Sequence, residues 1–344
     1  MTDRVRWAVI GYGRFGAIHA EVLSQAGDCE LVAVCTRNEQ RLAEATARYS
    51  GIKATRDYRQ ILDDPQIDAV SITTHVADHH RAALDALASG KHVLLEKPMA
   101  ETSQQCREIV AAARSAAGQF MVGHVCRFDP RVTVALDAVR EGRIGRVFAM
   151  RSKRNLPVAP GPLRLDKISA LLGDGVHDAD LMMWFMNEAP RRVYGRTVRV
   201  ENFRYPDAGW AMLEFGAVQA PTDQPAAVGV VETNWRLPAN TPTTIDAVLE
   251  IVGTEGQITI DCGHTGLNIL TDQGLKMPDT YYWPQQHGRR VGALVNEMAY
   301  FTRCIREGRT PEVVTPEDAA RAVAVIEAAE RSAASGMPQE VEVF

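Results

Sequence analysis

Glu96-Lys97-Pro98 follows the apolar run Val93-Leu94-Leu95, which puts one cationic side chain at the end of a strand that the pattern predicts to be buried. A lysine in that place can donate a proton to a carbonyl. Upstream, Gly11-Tyr12-Gly13-Arg14-Phe15-Gly16 lies between the strand-like Val5-Arg6-Trp7-Ala8-Val9-Ile10 and a helical stretch beginning at Ala17. In that context Gly11 permits a tight turn, Gly13 lets the backbone approach a pyrophosphate, and Gly16 allows close helix–strand packing. The helix N-terminus then offers unpaired N–H groups to the anion. The competing reading is a βα turn that is merely tight.

The adenosine ribose of a dinucleotide should lie near the end of the second strand, where an Asp or Glu usually binds the 2′-OH of NAD. Here the corner reads Cys35-Thr36-Arg37. It has no carboxylate to repel a 2′-phosphate, while Thr36 can hydrogen-bond one and Arg37 can pair with it, so NADP(H) is favoured over NAD(H). Arg37 as a solvated residue at a helix start is the alternative.

Elements must hold these residues in place, and the apolar pattern supplies them. A chain of 344 residues suggests two domains. Short apolar runs near 5–10, 30–35, 69–73, 92–95 and 119–122 alternate with helical patterns, which predicts an α/β doubly wound parallel sheet. The helix before the lysine ends at Gly90, Thr102-Ser103 can cap the helix after it, and Lys97-Pro98 suits a cis bond. After Gly123 the pattern changes. A helix at 130–141, a strand from Val147 and a proline-rich loop from Pro157 to Pro162, able to cover a site, come first. A helix at 170–187 follows, then strands near 191–200, 210–216, 227–236, 245–252 and 257–260, a hairpin loop from Ala220 to Ala226, and helices near 291–307 and 315–335. Several of these strands alternate in polarity, which predicts a mainly antiparallel sheet. The expected division is 1–123 for dinucleotide binding and 124–344 for substrate binding and oligomerisation.

A net charge of −5 argues against nucleic acid or an anionic membrane as partner. No apolar run approaches the length of a membrane span, and Met1 to Trp7 enters a strand without a signal-peptide core, so the expected compartment is the cytoplasm. The six cysteines form no CxxC or metal-ligand spacing and read as reduced, mostly buried thiols.

A second cluster, Gly173-Asp174-Gly175-Val176-His177-Asp178-Ala179-Asp180, carries much of the remaining chemistry. On a helix Asp174, His177 and Asp178 share a face, as do His177 and Asp180. These are suitable ligands for a divalent ion, but the glycine-rich flanks and the lack of a further His/Asp pair weigh against it, and no metal is expected. Taken with GYGRFG at 11–16, GKHVLLEKP at 90–98, GHVCRFDP at 123–130 and GALVNEMAYF at 292–301, the chain resembles the Gfo/Idh/MocA oxidoreductases over essentially its whole length. That family includes glucose-fructose oxidoreductase and inositol dehydrogenases.

The resemblance implies a Rossmann domain followed by an α/β domain on a large open sheet, assembled as a homodimer or homotetramer. It implies hydride transfer between nicotinamide and a carbinol or carbonyl of a sugar, inositol or related polyol. Lys97 then hydrogen-bonds the reacting oxygen and exchanges its proton, with His177 as its partner. Tyr12, Arg14 and Phe15 belong to the phosphate loop, Glu96 positions the ribose or the lysine, and Thr73, Thr74, His75 and His79 line the ribose and nicotinamide. His124, Arg127, Arg154, Asn155, Asp174 and Asp180 are the expected substrate contacts, and Tyr281-Tyr282-Trp283 can supply an aromatic wall or pack internally. One departure stands out. Many sugar- and inositol-oxidising members carry an Asp four residues before the His, where this chain has Gly173 and places Asp174 one position later. On a helix that offset turns a side chain by about 100 degrees. Two other readings follow from the same residues: a non-redox glycosidase working by transient oxidation, and a regulator that binds cofactor without catalysis.

Overall fold

Strands that are apolar on both faces need cover on both faces, and a parallel sheet sandwiched between helices provides it. The computed structural model describes residues 4–158, 165–216, 226–342 and 344. Val5–Ile10 (β1), Cys29–Cys35 (β2), Lys53–Thr55 (β3), Ala69–Ile72 (β4), His92–Glu96 (β5) and Phe120–Gly123 (β6) form a six-stranded parallel sheet in the order β3-β2-β1-β4-β5-β6. Trp7, Ala8, Val9, Val70, Leu94 and Leu95 are fully buried in it. β3 escaped the sequence reading because Lys53-Ala54-Thr55 carries a single apolar residue. Arg14–Gln25 (α1), Glu39–Arg48 (α2), Arg59–Leu62 (α3), Val76–Ala88 (α4) and Ser103–Ser115 (α5) connect the strands. Asn38 and Thr102 cap α2 and α5 through their side chains, and Gly90, at φ +74°, follows α4 as expected. The strand order reverses beside β1, so the open crevice lies at the carboxyl ends of β1 and β4, where such sheets bind ligands.

The chain divides into two compact units, Met1–Phe128 with Tyr282–Ala320, and Asp129–Tyr281 with Arg321–Phe344. The chain passes between these units three times, at 128/129, 281/282 and 320/321. The return is apolar in origin: on the helix Ala293–Glu307, Phe301 sets its ring against Trp7 at 5.9 Å between centroids.

In the second unit Pro130–Arg140 (α6) precedes Val147–Pro157 (β7). After it come a five-residue π turn at Leu171–Gly175, Val176–Met186 (α7), Arg192–Val198 (β8), Ala208–Phe215 (β9), Ala227–Leu237 (β10), Asp246–Gly253 (β11) and Gln257–Asp261 (β12). Two short ribbons, Ile269–Thr271 (β13) with Gly274–Lys276 (β14) and, in the first unit, Gln285–Gln286 (β15) with Arg289–Arg290 (β16), were too brief to foresee. The helix Ala293–Glu307 is α8, Pro316–Ser335 is α9 and Gln339–Glu340 is β17. The large sheet runs β12-β11-β7-β10-β9-β8-β17. It is antiparallel except between β7 and β10, which are parallel. Burial alternates along β10 and β11, and α7 packs on the buried face of β7 and β10. The expected loops at Pro157–Pro162 and Ala220–Ala226 lie largely outside the described residues, which break off after Val158 until Leu165 and after Gly216 until Ala226. No described helix is long and apolar enough to cross a membrane.

Candidate active site

The Gly-rich turn is built by close approach. Gly11 sits at φ +100°, and a Cβ there would meet the Thr73 carbonyl carbon and the Thr74 nitrogen at 2.7 Å. A Cβ on Gly16 would come within 2.3 Å of the Gly11 carbonyl oxygen. Gly13 differs, because a Cβ there would meet nothing closer than 3.9 Å. It opens on the space a pyrophosphate needs, and α1 begins at Arg14 with no capping side chain and no acidic residue in its first turn. The residues fit a dinucleotide. Of the other residues of the turn, Tyr12 is buried, and Phe15 is half-buried with its ring edge-on against His19 and Trp283. The backbone N–H groups of Gly11 and Tyr12 both donate to the Cys35 carbonyl at 2.9 Å, which ties the turn to β2.

Thr73 Oγ1 donates to the Gly11 carbonyl at 2.9 Å, so it braces the turn. Thr74 Oγ1 is buried with no hydrogen-bond partner among the described residues, a hydroxyl suited to a cofactor group. At the ribose corner, burial pushes the Cys35 thiol up to about 11. Arg37 is 80% exposed and reaches Asp78 at 3.2 Å.

Lys97 follows β5 in a turn whose Lys97–Pro98 bond is cis, and its backbone N–H donates to Glu96 Oε2 at 3.2 Å. His79 was expected to line the cofactor. It is buried, with Nδ1 2.8 Å from the Pro98 carbonyl oxygen and Nε2 3.2 Å from that of Thr74, and burial lowers its pKa. Its ring thus ties α4 to the lysine turn. His75 is exposed at the start of α4. Behind Lys97, Glu96 Oε1 lies 3.4 Å from His19 Nε2, whose Nδ1 is 2.8 Å from Ser71 Oγ. Glu297 on α8 is fully buried, neither oxygen has a hydrogen-bond partner among the described residues, and burial, then the charge of Glu96, raise its pKa well above the carboxylate range.

Of the expected substrate contacts in the first unit, His124 is fully buried, and Arg127 donates to the Val313 carbonyl at 2.7 Å and to Asp318 at 3.1 Å. Arg127 thus ties the segment after β6 to the approach to α9. In the second unit Arg154 and Asp178 form a buried two-point pair at 2.9 and 3.1 Å between β7 and α7. Asn155 points to the other face of the sheet, where its amide donates to Glu232. His177 and Asp180 are both buried on α7. Asp174 is half-buried in the π turn and accepts from the Trp235 indole N–H at 2.9 Å. Tyr281 lies under the Arg131 guanidinium, and Tyr282 and Trp283 pack on each other, which is the internal role rather than a wall. Among the described residues no group of three or more His, Cys, Asp or Glu is placed to hold a metal.

Two family models cover most of the chain. The Gfo/Idh/MocA oxidoreductase family with NAD-binding Rossmann fold matches residues 5–124, and the Gfo/Idh/MocA C-terminal domain matches 132–259. The chain belongs to the Gfo/Idh/MocA family. It is 28% identical to scyllo-inositol 2-dehydrogenase (NAD(+)) of Bacillus subtilis (strain 168), over 100% of this chain and 98% of that protein. It is also 28% identical to myo-inositol 2-dehydrogenase of Thermotoga maritima, over 95% and 96%. The crystal structure of GenD2 from gentamicin A biosynthesis in complex with NAD superposes with a TM-score of 0.85 and 26% identity, covering 100% of this chain and 98% of that one.

Sequence reasoning passed over three residues of this Gfo/Idh/MocA chain. Glu297 stood inside the quoted GALVNEMAYF and His19 in the helical stretch that begins at Ala17, and a polar residue in an otherwise apolar helix face was the available signal. Trp235 gave none, because its partner is 61 residues away.

Proposed function

We propose that this chain oxidises a ring hydroxyl of inositol or a related cyclic polyol, or reduces the matching ketone, with Lys97 as the acid/base residue and His177 as its partner. The observation that carries the reading is Lys97 at the carboxyl end of β5, in a cis-proline turn held by Glu96 and His79. A bound nicotinamide supplies the hydride acceptor or donor. On oxidation the neutral amine of Lys97 would take the hydroxyl proton, and the ammonium so formed would stabilise the alkoxide-like charge on the carbinol oxygen; on reduction the ammonium would return that proton. The imidazole of His177 can accept such a proton at one ring nitrogen and release one from the other. The names of the two inositol dehydrogenases supply the substrate class. No observation favours the glycosidase or regulator readings.

For the cofactor, NADP(H) over NAD(H) rests on the Cys35-Thr36-Arg37 corner and on the exposed, easily exchanged Arg37–Asp78 pair. A 2′-phosphate, with about −1.5 to −2 charges, competes well against one carboxylate. The B. subtilis relative bears NAD(+) in its name, which makes the comparison informative.

The test is absorbance at 340 nm with each cofactor against myo- and scyllo-inositol, keto-inositols and sugars. Turnover is expected, and Lys97→Ala should lower kcat by about 10²–10⁴-fold with cofactor Kd little changed. Near-normal turnover in that variant overturns the assignment of Lys97.

A further inference from the structure

The sequence Gly173-Asp174-Gly175 is the end of the π turn, and both glycines lie directly on β10. A Cβ on Gly173 would stand 2.7 Å from two ring carbons of Trp235, and one on Gly175 would stand 2.9 Å from Thr233 Oγ1. Thr233 and Trp235 are two residues apart on a strand, so they point to the same face, and both are buried there. The space that a side chain at 173 would fill is taken by an indole. That indole is packed among Leu156, Leu165, Ala170, Ile168, Phe203 and Ile245, which fixes its plane. Its one polar atom donates to Asp174 Oδ2 at 2.9 Å. Asp174 therefore holds the single side chain of the tripeptide, its backbone seated on β10 and its carboxylate aimed by the indole.

We propose that Trp235 is a positioning residue that fixes Asp174 as the acceptor for a substrate hydroxyl, the indole standing in for a side chain at position 173. The proposal rests on the polyol reading above. A carboxylate has about four acceptor positions, and the indole N–H takes one of them. Asp174 lies three residues before His177 and is half-buried rather than sealed, as a group that meets substrate must be. Oriented carboxylates of this kind set specificity, because an analogue lacking the hydroxyl leaves the acceptor unpaired.

Three variants separate the parts. Trp235→Phe keeps a ring but loses the N–H. Gly173→Ala keeps the N–H but drives a methyl into the indole. Asp174→Asn keeps an acceptor for the indole but loses the charge. With myo- and scyllo-inositol as probes, each is expected to raise KM by about tenfold or more while kcat falls by less than about threefold and cofactor Kd stays constant. In ¹⁵N-Trp-labelled protein, the Trp235 indole N–H resonance, identified by its loss in Trp235→Phe, is expected to move in Asp174→Asn. That readout needs no turnover, and melting temperatures identify any variant that is merely unfolded. A Trp235→Phe protein that is folded and has wild-type KM overturns the proposal, as does an indole resonance indifferent to Asp174→Asn. If the wild type turns over no polyol, the polyol reading falls, and the substrate role of Asp174 falls with it, whatever the indole resonance does.

Discussion

Glu297 is a carboxyl group with no exposed surface, and its neighbour in charge is Glu96, next to Lys97. Its pKa is raised in the folded chain, so the folded state binds a proton that the unfolded state releases above the usual carboxylate range. Stability from this site is complete at pH below the unfolded value and declines as pH rises toward the folded one. Glu297→Gln keeps the shape without the proton. The variant should therefore gain stability relative to wild type with increasing pH, read as a melting-temperature difference that widens from mildly acidic to neutral pH; a constant difference excludes ionisation as the cause. Arg37 allows a second residue-level test. Arg37→Ala should weaken NADPH about tenfold and leave NADH nearly unchanged, measured as Kd by fluorescence, and a tighter NADH in the wild type refutes the NADP(H) preference. Lys97 and the glycines of the turn were legible because their signals are local. The part played by His79 was not, since it depends on the Pro98 carbonyl brought beside it by folding.

At the scale of elements, helical periodicity located the segment around His177 but could not see that its first turn is π-wound. A π turn adds a residue without breaking the helix, so the offset of Asp174 cannot be judged by a fixed angle per residue. The longer strands of both sheets were legible from their alternating or continuous apolar runs, whereas the short β3 and β17 were not. The parallel pairing of β7 with β10 was not, because it joins segments far apart in sequence. Arg154, taken from the sequence as a substrate contact, binds β7 to α7 through Asp178, with both side chains over nine-tenths buried. Arg154→Met takes both guanidinium bonds from that carboxylate in the interior and should destabilise the protein by about 3–5 kcal/mol in denaturant unfolding, whereas adding Asp178→Leu should restore most of the loss. If the single variant is as stable as wild type, the pair is not what holds these elements together.

For the whole molecule, the oligomer implied by the family resemblance is a proposal with a definite surface. On the outer face of the large sheet Met212, 38% exposed, is paired in register with Tyr194 and Val230, forming an apolar row. Salt bridges Arg192–Glu214 and Arg151–Glu250 flank it. Such a row suits contact with a second copy. Light scattering should give a dimer or tetramer, and Met212→Glu should dissociate it without loss of fold; a wild-type monomer ends the proposal.

The packing of Phe301 on Trp7 also sets an order of events on the ribosome. The sheet that holds β1 lacks α8 until β7 to β12 have all been made, because Tyr282–Ala320 belongs to the first unit. During synthesis the nascent Rossmann sheet keeps its Trp7 surface bare while the second unit has all its major strands in hand. The unit begun first is thus closed only after the major strands of the other have been made, and a cofactor that stabilises it by binding gains its full hold only once residues 282–320 have emerged.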